Sequence, residues 1–375
     1  MINYGKQSIT DDDIKSVIKT LKSDYITQGY KIEEFEKKLN IKFGGKFCAV
    51  LNSGTSALYL LGKALNWKKK DIVITTPISF IASSNCIVNN EASPEFVDID
   101  EKTYSIDPNK LEEKLKKKKI KAVIAVDYAG HPCDWKSLKY LSVKYNFTLI
   151  NDACHSMGAE YFSNKKYAIK YADYVTQSFH PVKAFTTGEG GSVISNNKKI
   201  IEKIKLMRSH SIIRDTKKYP WYYKINSPGQ NYRITDIQCS LGISQLKKLD
   251  KFVTQRQKIA KVYLNELRSD NKFILPFQDK NCKHAYHLFP LQIKFNKIKF
   301  NKEQIFKKFL RKGIKLQVHY IPIHLQPYYR RNFTINRKEL MIAENFYKRE
   351  VSVPIFPSLK KIDLLKVINQ LKLIT

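Results

Sequence analysis

The first helix of the chain is predicted by the spacing of its apolar residues. Four apolar side chains recur on one helical face, those of Ile14, Val17, Ile18 and Leu21. The aspartates at 11–13 put negative charge in the first turn, where the helix dipole favours it. We therefore predict a short amphipathic helix here, with a second helix at 31–39.

Beyond these helices, short apolar runs alternate with helical segments. The runs are FCAVL at 47–51, DIVITT at 71–76, SPEFVDI at 93–99, KAVIAV at 121–126, FTLIND at 147–152 and YADYVTQSF at 171–179, and the helices between them start at Gly54, at Ser79, near Pro108 and near Asp134. Near-continuous apolar strands joined by helices are typical of a mostly parallel sheet covered on both faces. The pattern predicts an α/β fold.

The last third of the chain predicts a second, smaller unit. A long helical stretch at 236–267 is followed by a strand at 287–295, a helix that ends at Gly313, a strand at 314–320, and helices near 339–349 and 362–371. With 375 residues, the chain also exceeds the size at which single cores usually stop growing. We predict a large domain at 1–245 and a small C-terminal α/β domain at 246–375. The segment 212–230 contains proline, glycine and charges and is predicted to be a surface loop.

The formal net charge of +33 raises the question of nucleic-acid binding, because clustered lysines and arginines attract phosphate backbones. The basic runs, such as those at 68–70 and 117–119, are scattered along the chain and form no compact basic domain. We therefore expect a solvated, lysine-rich surface and no specific nucleic-acid partner. The positive charge is also suited to attracting anionic substrates.

The remaining composition favours a soluble cytoplasmic protein. No segment approaches the roughly 20 apolar residues that cross a bilayer, and the first residues lack the basic and apolar regions of a signal peptide. The six cysteines are far apart and form no CxxC pair, which argues against a disulfide framework and a thiolate zinc site. We expect no metal ion and no membrane association.

Candidate chemistry centres on Lys183, which follows an apolar run in the segment SFHPVKAFTTGEGG at 178–191. A lysine in a partly dry pocket has a lowered pKa, because its cation is poorly solvated, and its free amine can attack a carbonyl group. Asp152 ends another apolar run, and a carboxylate there can keep a pyridine nitrogen protonated. The pair suggests a pyridoxal phosphate site.

Several polar segments follow predicted strands, and in such sheets ligands gather at the carboxyl ends of strands. These segments are 52–55, 76–80, Asp127, Asp152 and 178–183. Residues 52–56 read NSGTS and open a helix, so their N–H groups and hydroxyls can surround a phosphate, although an ordinary helix cap has the same composition. Ser178 beside the lysine favours a phosphate site built from both segments.

Five aromatic or histidine residues have both a functional and a structural interpretation. Phe80 can stack on a planar ring or simply pack in the core. His155, one helical turn after Asp152, can bind a cofactor or be a buried histidine with its hydrogen bonds satisfied. His319, Tyr320 and His324 have no carboxylate or cysteine at metal-ligand spacing, so substrate contact or packing is favoured over a metal site. The glycines at 188–191 follow the lysine and do not form a nucleotide P-loop.

The chain resembles the DegT/DnrJ-type sugar-nucleotide aminotransferases, which are fold type I pyridoxal phosphate enzymes. The resemblance extends nearly from end to end. The segments that carry it are residues 5–7 and 27–29, NSGTSAL at 52–58, TPISFIAS at 76–83, FVDID at 96–100, NDACHSMGA at 151–159, SFHPVKAFTTGEGG at 178–191, RSHSIIRD at 208–215, the segment 231–250 that begins NYR, and VHYIPIHLQPYY at 318–329. Within the family, the motifs around Lys183 and at 318–329 look most like the transaminases of pseudaminic acid biosynthesis.

The resemblance implies a role for each matching residue. Lys183 would form the Schiff base with pyridoxal phosphate and shuttle the proton, and Asp152 would pair with the pyridine nitrogen. Phe80 would stack on the ring and His155 would lie near the cofactor. Gly54, Thr55 and Ser178 would hold the phosphate, together with Asn231 from the partner subunit of a homodimer with shared active sites. Candidates for sugar-nucleotide contact are Tyr4, Lys6, Arg214, Tyr320 and His324.

The implied reaction moves an amino group from L-glutamate to C4 of a UDP-linked 4-keto-6-deoxy-N-acetylhexosamine. Two departures from the family pattern, Ser211 in place of glycine and Cys154 in place of alanine, do not affect this chemistry. A dehydratase of the same fold would have histidine in place of Lys183. Two alternatives stay open: an aminotransferase for another nucleotide-linked keto sugar (dTDP- or GDP-linked, or of the UDP-bacillosamine or legionaminic type), and a non-catalytic polyanion-binding protein.

Overall fold

A computed structural model of the chain describes residues 1–215 and 217–374. Its helices are α1 (Asp11–Leu21), α2 (Tyr30–Phe43), α3 (Gly54–Ala64), α4 (Ala82–Val88), α5 (Pro108–Leu115), α6 (Trp135–Lys144), α7 (Tyr167–Tyr171), α8 (Lys198–Met207), α9 (Asp236–Leu246), α10 (Leu249–Leu267), α11 (Lys302–Arg311), α12 (Pro327–Asn332), α13 (Met341–Arg349) and α14 (Lys361–Lys372). Its strands are β1 (Phe47–Leu51), β2 (Ile72–Thr75), β3 (Ser93–Phe96), β4 (Ala122–Val126), β5 (Thr148–Asp152), β6 (Glu160–Tyr161), β7 (Tyr174–Ser178), β8 (Gly191–Ser195), β9 (Ile212–Arg214), β10 (Tyr223–Ile225), β11 (Phe273–Ile274), β12 (Cys282–Lys283), β13 (Phe289–Ile293) and β14 (Glu350–Val353).

The central sheet has seven strands in the order β1-β8-β7-β5-β4-β2-β3. The pairs from β7 through β5, β4 and β2 to β3 are parallel, and β8 runs antiparallel to both of its neighbours. The predicted α/β fold with a mostly parallel sheet is therefore confirmed. It also follows that the carboxyl ends of β7, β5, β4 and β2 lie at the same edge of the sheet.

Both faces of the sheet are covered, which explains why its strands are apolar throughout. In β4, Val123 and Ala125 pack in one core with residues of α2, α6 and α9, while Ala122 and Ile124 pack in the other with residues of α3, α4 and α8. Alternate side chains of a strand point to opposite faces, so a strand covered on both sides needs apolar residues at every position.

A second core lies in the C-terminal part of the chain, around the antiparallel sheet β11-β13-β14 and helices α10, α11 and α14. Helix α10 contributes to both cores, because Leu249 and Val253 pack in the large one and Ile259 and Tyr263 in the small one. The boundary at 245/246 stays a prediction. The N-terminus also joins the small core, since Ile2 pairs with Ile314.

One predicted element was wrong and two were incomplete. The segment 314–320 is not a strand, because it makes only isolated bridges at Ile314 and Gln317, while the unpredicted β14 supplies the third strand of the small sheet. The predicted surface loop at 212–230 contains the hairpin of β9 and β10. The helical stretch at 236–267 is two helices, α9 and α10.

None of the helices in the described part of the chain combines the length and apolar character that a membrane span requires.

Candidate active site

A cavity of about 530 Å³ opens at the edge of the sheet where β4, β5 and β7 end. Val126, Asp152 and Ser178 are the last residues of these three strands, and all of them line the cavity. The start of α3, Tyr4 and the segment 317–320 also line the cavity. The cavity thus lies where open α/β sheets bind their ligands.

Lys183 lies on the turn that follows β7, and its side chain lines the cavity. Its backbone N–H donates to the carbonyl oxygen of His180 at 2.9 Å, which closes the turn. Burial lowers the pKa of Lys183, against the smaller opposing effects of Cys154 and Asp152. The lysine therefore has the raised fraction of free amine that nucleophilic or base chemistry requires.

Asp152 reaches the cavity from the end of β5 and is 5% exposed. One carboxylate oxygen accepts from the Ser83 hydroxyl at 2.7 Å, and the other accepts from the Cys154 N–H at 3.2 Å. These two bonds fix the orientation of the carboxylate beside Lys183. Ser83 was missed by the sequence analysis, because a serine at the start of a helix carries no distinguishing signal of its own.

The start of α3 lies against the end of β7. A Cβ atom on Gly54 would come within 2.8 Å of the Ser178 Cβ, so glycine is needed for this close approach. The Ser53 hydroxyl accepts from the Ser56 N–H at 3.0 Å and is used in capping, whereas the Thr55 side chain is exposed at the cavity. The first N–H groups of a helix have no acceptor within it, so this corner offers unpaired donors and hydroxyls to an anion.

His155 is held by bonds to both ring nitrogens. Its Nδ1 accepts from the backbone N–H of Ala129 at 3.3 Å, so Nε2 carries the hydrogen and donates to the Tyr320 hydroxyl oxygen at 3.2 Å. Burial, with added repulsion from Lys183 and His319, lowers the pKa of His155 well below its usual value. His155 is therefore neutral, and the hydrogen of the Tyr320 hydroxyl is left for an acceptor in the cavity.

Two further aromatic side chains stand at the cavity. Phe80 is 55% exposed and its ring centre is 6.1 Å from that of Tyr320, so one face of Phe80 is open to a planar ligand. Tyr4 is partly buried with its ring centre 5.3 Å from that of His319. The structure thus brings together Tyr4, Gly54, Thr55, Phe80, Asp152, His155, Ser178, Lys183 and Tyr320.

Four predicted site residues lie outside the cavity of their own chain. Lys6, Arg214 and Asn231 are exposed elsewhere on the surface. His324 is 1% exposed, and its Nε2 bonds Glu344 Oε1 at 3.1 Å. The geometry speaks against substrate contact by His324 in this cavity, because its ring is already engaged in a buried pair. Its sequence context gave no sign of the distant carboxylate.

Asp127 also differs from its predicted place at the site. It is fully buried and does not line the cavity, and it accepts hydrogen bonds from Trp135 Nε1 at 2.9 Å, the Ser156 hydroxyl at 2.7 Å and the Tyr167 hydroxyl at 2.6 Å. Asp127 is therefore a structural centre behind the site. His287 lines the cavity without having been predicted, and His319, for which substrate contact or packing was predicted, lines it as well.

Comparison with known proteins identifies the class. The DegT/DnrJ/EryC1/StrS aminotransferase family matches residues 7–372. UDP-4-amino-4,6-dideoxy-N-acetyl-beta-L-altrosamine transaminase of Campylobacter jejuni subsp. jejuni serotype O:23/36 (strain 81-176) is 41% identical over 94% of this chain and 92% of the relative. The structure of Helicobacter pylori PseC, an aminotransferase involved in the biosynthesis of pseudoaminic acid, is similar with a TM-score of 0.90, 32% identity, and coverage of 99% of this chain and 98% of that one. The PLP form of the putative sugar aminotransferase Spr1654 from Streptococcus pneumoniae has a TM-score of 0.88 and 25% identity, with 99% of each chain covered.

The chain belongs to the DegT/DnrJ/EryC1/StrS aminotransferase family. It is a sugar aminotransferase with pyridoxal phosphate as its cofactor, as the sequence predicted. The cavity fits this group chemically: a carboxylate and an amine face one space, an open aromatic face adjoins it, and a helix start with unpaired donors lies at its edge.

Proposed function

We propose that this protein transfers the amino group of L-glutamate to C4 of a UDP-linked 4-keto-6-deoxy-N-acetylhexosamine. The observation that carries the proposal is the placement of the Lys183 amine and the Asp152 carboxylate on one cavity. The choice of sugar is supported by relatives from Campylobacter jejuni and Helicobacter pylori, 41% and 35% identical, that are named UDP-4-amino-4,6-dideoxy-N-acetyl-beta-L-altrosamine transaminase.

Pyridoxal phosphate, when bound, supplies an aldehyde carbon that takes up the amino group and a pyridine ring that stabilises negative charge. Asp152 would hydrogen-bond the ring nitrogen, with its oxygens fixed by Ser83 and Cys154. Phe80 would cover one face of the ring and His155 would lie near it. Gly54, Thr55 and Ser178 would hold the phosphate.

Lys183 Nζ is the base of the proposed reaction. Its lowered pKa lets Nζ accept a proton from the carbon that bears the amino group and return the proton in the reverse direction. General acid and base transfer of this kind contributes about 10²–10⁴-fold to the rate. Tyr4 and Tyr320 line the wall where the sugar would bind, and the net charge of +33 favours a diphosphate-linked substrate.

The first test uses the cofactor and both substrates. Purified protein with pyridoxal phosphate should acquire the cofactor's colour, lose it with L-glutamate and recover it with the UDP-linked keto sugar, and NMR should show an amine at C4 of the product. Lys183→Ala should bind the cofactor without covalent attachment, seen as the absence of a borohydride-stable adduct on that peptide by mass spectrometry. Wild-type protein that forms no adduct at Lys183 would refute the proposal.

We also propose a homodimer with shared active sites. The hairpin of β9 and β10 exposes apolar side chains, among them Trp221 at 74% and Ile225 at 54%. Such side chains in a soluble protein favour an interaction surface. Asn231, which pairs with Ser209 near this hairpin, lies outside the cavity of its own chain. A second copy of the chain that covers the hairpin would let Asn231 reach the phosphate in the partner's cavity.

Subunit mixing tests this arrangement. Lys183→Ala removes the base from its own site, and Asn231→Asp puts a negative charge beside the phosphate of the other site. A hybrid of the two variants contains one site with both native residues, so co-expression should restore about a quarter of wild-type activity if hybrids form at random. No recovery, with a dimer shown by light scattering, would mean that Asn231 does not act across the interface.

The second candidate is the same reaction on another nucleotide-linked keto sugar, dTDP- or GDP-linked or of the UDP-bacillosamine or legionaminic type. One substituent in a pocket shifts discrimination by about 1–3 kcal/mol, and the relatives named for the altrosamine reaction favour the first sugar. Competition between the candidate sugars, read as product ratios, decides between them.

Binding of a polyanion by a non-catalytic protein receives no support from the family. We place the protein in the cytoplasm, with which its free cysteines agree.

A further inference from the structure

His319 lines the cavity as part of the segment 317–320, which lies outside the central sheet. It is 6% exposed, and its ring centre is 5.3 Å from that of Tyr4 and 4.9 Å from that of Tyr320. Its backbone carbonyl oxygen accepts from the Tyr128 hydroxyl. Asp152 and Ser178 reach the same cavity from the ends of the strands β5 and β7. His319 reaches it from a different segment, and its hydrogen bonds go to Tyr128, Glu350 and Ser352 and to none of the groups assigned to the cofactor.

A chain of three hydrogen bonds fixes the His319 ring. The Ser352 hydroxyl donates to Glu350 Oε1 at 2.6 Å and lies 2.8 Å from His319 Nδ1, and Glu350 Oε2 accepts from the His319 backbone N–H at 3.0 Å. A serine hydroxyl has one hydrogen, and here it points at the carboxylate. When Glu350 is ionised, Nδ1 of His319 must therefore carry a hydrogen and donate to Ser352, which leaves a lone pair on Nε2.

The environment also keeps this ring neutral. Burial, with a smaller effect of the Lys183 charge, lowers the pKa of His319 to about 3. Protonation of the ring would turn Nε2 into a hydrogen-bond donor. The lowered pKa keeps the ring unprotonated at neutral pH, so Nε2 stays an acceptor. Ser352 and Glu350 occupy the Nδ1 side of the ring, so the Nε2 side is the one that faces away from β14 and into the cavity.

We propose that His319 Nε2 is a fixed hydrogen-bond acceptor for a hydroxyl or amide N–H group of the sugar substrate, and that Ser352 and Glu350 are positioning residues for it. The inference rests on the proposed function in that the substrate is a nucleotide-linked hexosamine, which carries such donors. L-glutamate carries neither group. His319 should therefore act in the half-reaction with the sugar and not in the half-reaction with glutamate.

The tautomer is tested directly by NMR on the protein with its cofactor bound and its histidines labelled with ¹⁵N. Burial raises the pKa of Glu350 to about 7, so the spectra are taken at about pH 8.5, where this carboxylate is ionised. His319 should show hydrogen on Nδ1, with its signals assigned through His319→Gln. Ser352→Ala should shift the ring toward the Nε2–H form. A wild-type ring with hydrogen on Nε2 would overturn the proposal.

Tyr263→Phe is the matched control for Ser352→Ala. It removes another buried hydroxyl of the same core, one that donates to the Pro354 carbonyl oxygen at 2.9 Å and does not touch His319. The control should leave the His319 tautomer unchanged. If both variants changed it equally, the effect would be a general loosening of the core, and Ser352 would have no positioning role.

The substrate side is tested by measuring the two half-reactions separately. His319→Leu should lower kcat/KM for the keto sugar by about 10- to 100-fold, because a donor of the sugar loses its partner. The rate with glutamate and the affinity for pyridoxal phosphate should fall much less, since His319 hydrogen-bonds Tyr128, Glu350 and Ser352 and none of the groups assigned to the cofactor. His319→Gln, which keeps an acceptor, should recover part of the loss. Equal losses in both half-reactions would refute the proposal.

Failure of the proposed function has a different signature. If wild-type protein reacts with glutamate but not with the UDP-linked keto sugar, the choice of sugar is wrong. The effect of His319→Leu is then measured with the nucleotide sugar that does react. If wild-type protein forms no adduct at Lys183, the proposed function fails as a whole. The NMR tautomer of His319 still decides whether Ser352 and Glu350 hold the ring.

Discussion

Two aspartates end neighbouring parallel strands of the central sheet, yet their surroundings are opposite. Asp127, just after β4, is enclosed by donors from Cys133, Trp135, Asn151, Ser156 and Tyr167. Asp152, the last residue of β5, has bonds from Ser83 and Cys154 and faces a cavity. The topology places a carboxylate at the site edge in both cases. The number of protein donors around it decides whether the carboxylate is left for a ligand.

The comparison predicts the largest effect for Asp152→Asn. An amide cannot hold a positive charge on a bound ring, so the rate of the glutamate half-reaction should fall by about 10²–10³-fold, as when an electrostatic partner of a reacting group is removed. The free energy of unfolding should change little, because Asn can keep the bond from Ser83. Stopped-flow absorbance measures the rate and urea denaturation measures the stability. Near-normal catalysis would show that Asp152 is not the partner of the ring.

Asp127→Asn should give the opposite result. An asparagine has one oxygen and an amide group, so it cannot accept all the hydrogen bonds that Asp127 receives, and buried donors lose their partner. We expect a loss of about 3 kcal/mol in the free energy of unfolding, since buried charged hydrogen bonds are costly to break. The folded fraction should keep a glutamate half-reaction within about tenfold of wild type. Strong loss of catalysis without loss of stability would remove the distinction between the two aspartates.

Tyr167→Phe separates the members of the Asp127 cluster. It removes one hydroxyl, 2.6 Å from Asp127 Oδ2, and keeps the ring that packs in the large core. A single buried hydrogen bond contributes about 1–2 kcal/mol, so the loss measured by urea denaturation should be smaller than that for Asp127→Asn. Tyr263→Phe, which removes another buried tyrosine hydroxyl, bonded to the Pro354 carbonyl oxygen at 2.9 Å in the small core, serves as the control. A loss as large as that of Asp127→Asn would mean that Tyr167 alone carries the cluster.

Ser83→Ala asks how much the orientation of Asp152 matters. The variant removes the donor at 2.7 Å and leaves the carboxylate itself in place. We expect the affinity for pyridoxal phosphate to fall by about two- to tenfold, because Asp152 keeps its charge and its bond from the Cys154 N–H, and the free energy of unfolding to fall by about 1–2 kcal/mol, because one buried bond to a carboxylate is lost. Fluorescence titration of the cofactor measures this. Unchanged affinity would show that the Cys154 N–H alone is enough to orient Asp152.

The sequence predicted the order of strands and helices well where the apolar pattern was unambiguous. The run FCAVL at 47–51 is β1 with the predicted bounds. Its own residues are mostly buried, and the residues that flank it on both sides are polar. The prediction of a strand at 314–320 was wrong. The alternation of apolar residues in this segment reflects contacts with the N-terminal residues and with Ser352, and periodicity cannot distinguish such contacts from the pairing of a sheet strand. The strand β14 is short and begins with a glutamate, so its pattern was weak.

For the site, sequence position predicted which residues come to the edge of the sheet. It did not predict which donors surround each carboxylate there. Lys183 and Asp152 were found because their chemistry is specific. Asp127 was misplaced because its donors come from segments as far away as Tyr167, and no local signal reveals them. Ser83 was missed because it takes its role from a distant partner, Asp152, and the choice between substrate contact and packing stayed open for His319 because its partner Ser352 is distant in sequence.

The pH dependence of stability gives the finest test of the comparison. Burial raises the pKa of Asp127 above its usual value, against the opposing effect of its hydrogen bonds. A carboxyl group whose folded-state pKa is raised binds more protons in the folded state than in the unfolded one. Its contribution to stability is therefore complete below the unfolded pKa of about 4 and is lost as pH rises through the folded pKa. The wild-type free energy of unfolding, measured relative to Asp127→Asn, should fall as pH rises from about 4 toward neutrality. A difference that instead grows with pH over this range would mean that the hydrogen bonds from Tyr167, Ser156 and their neighbours outweigh burial, and that Asp127 is held as a carboxylate by its donors.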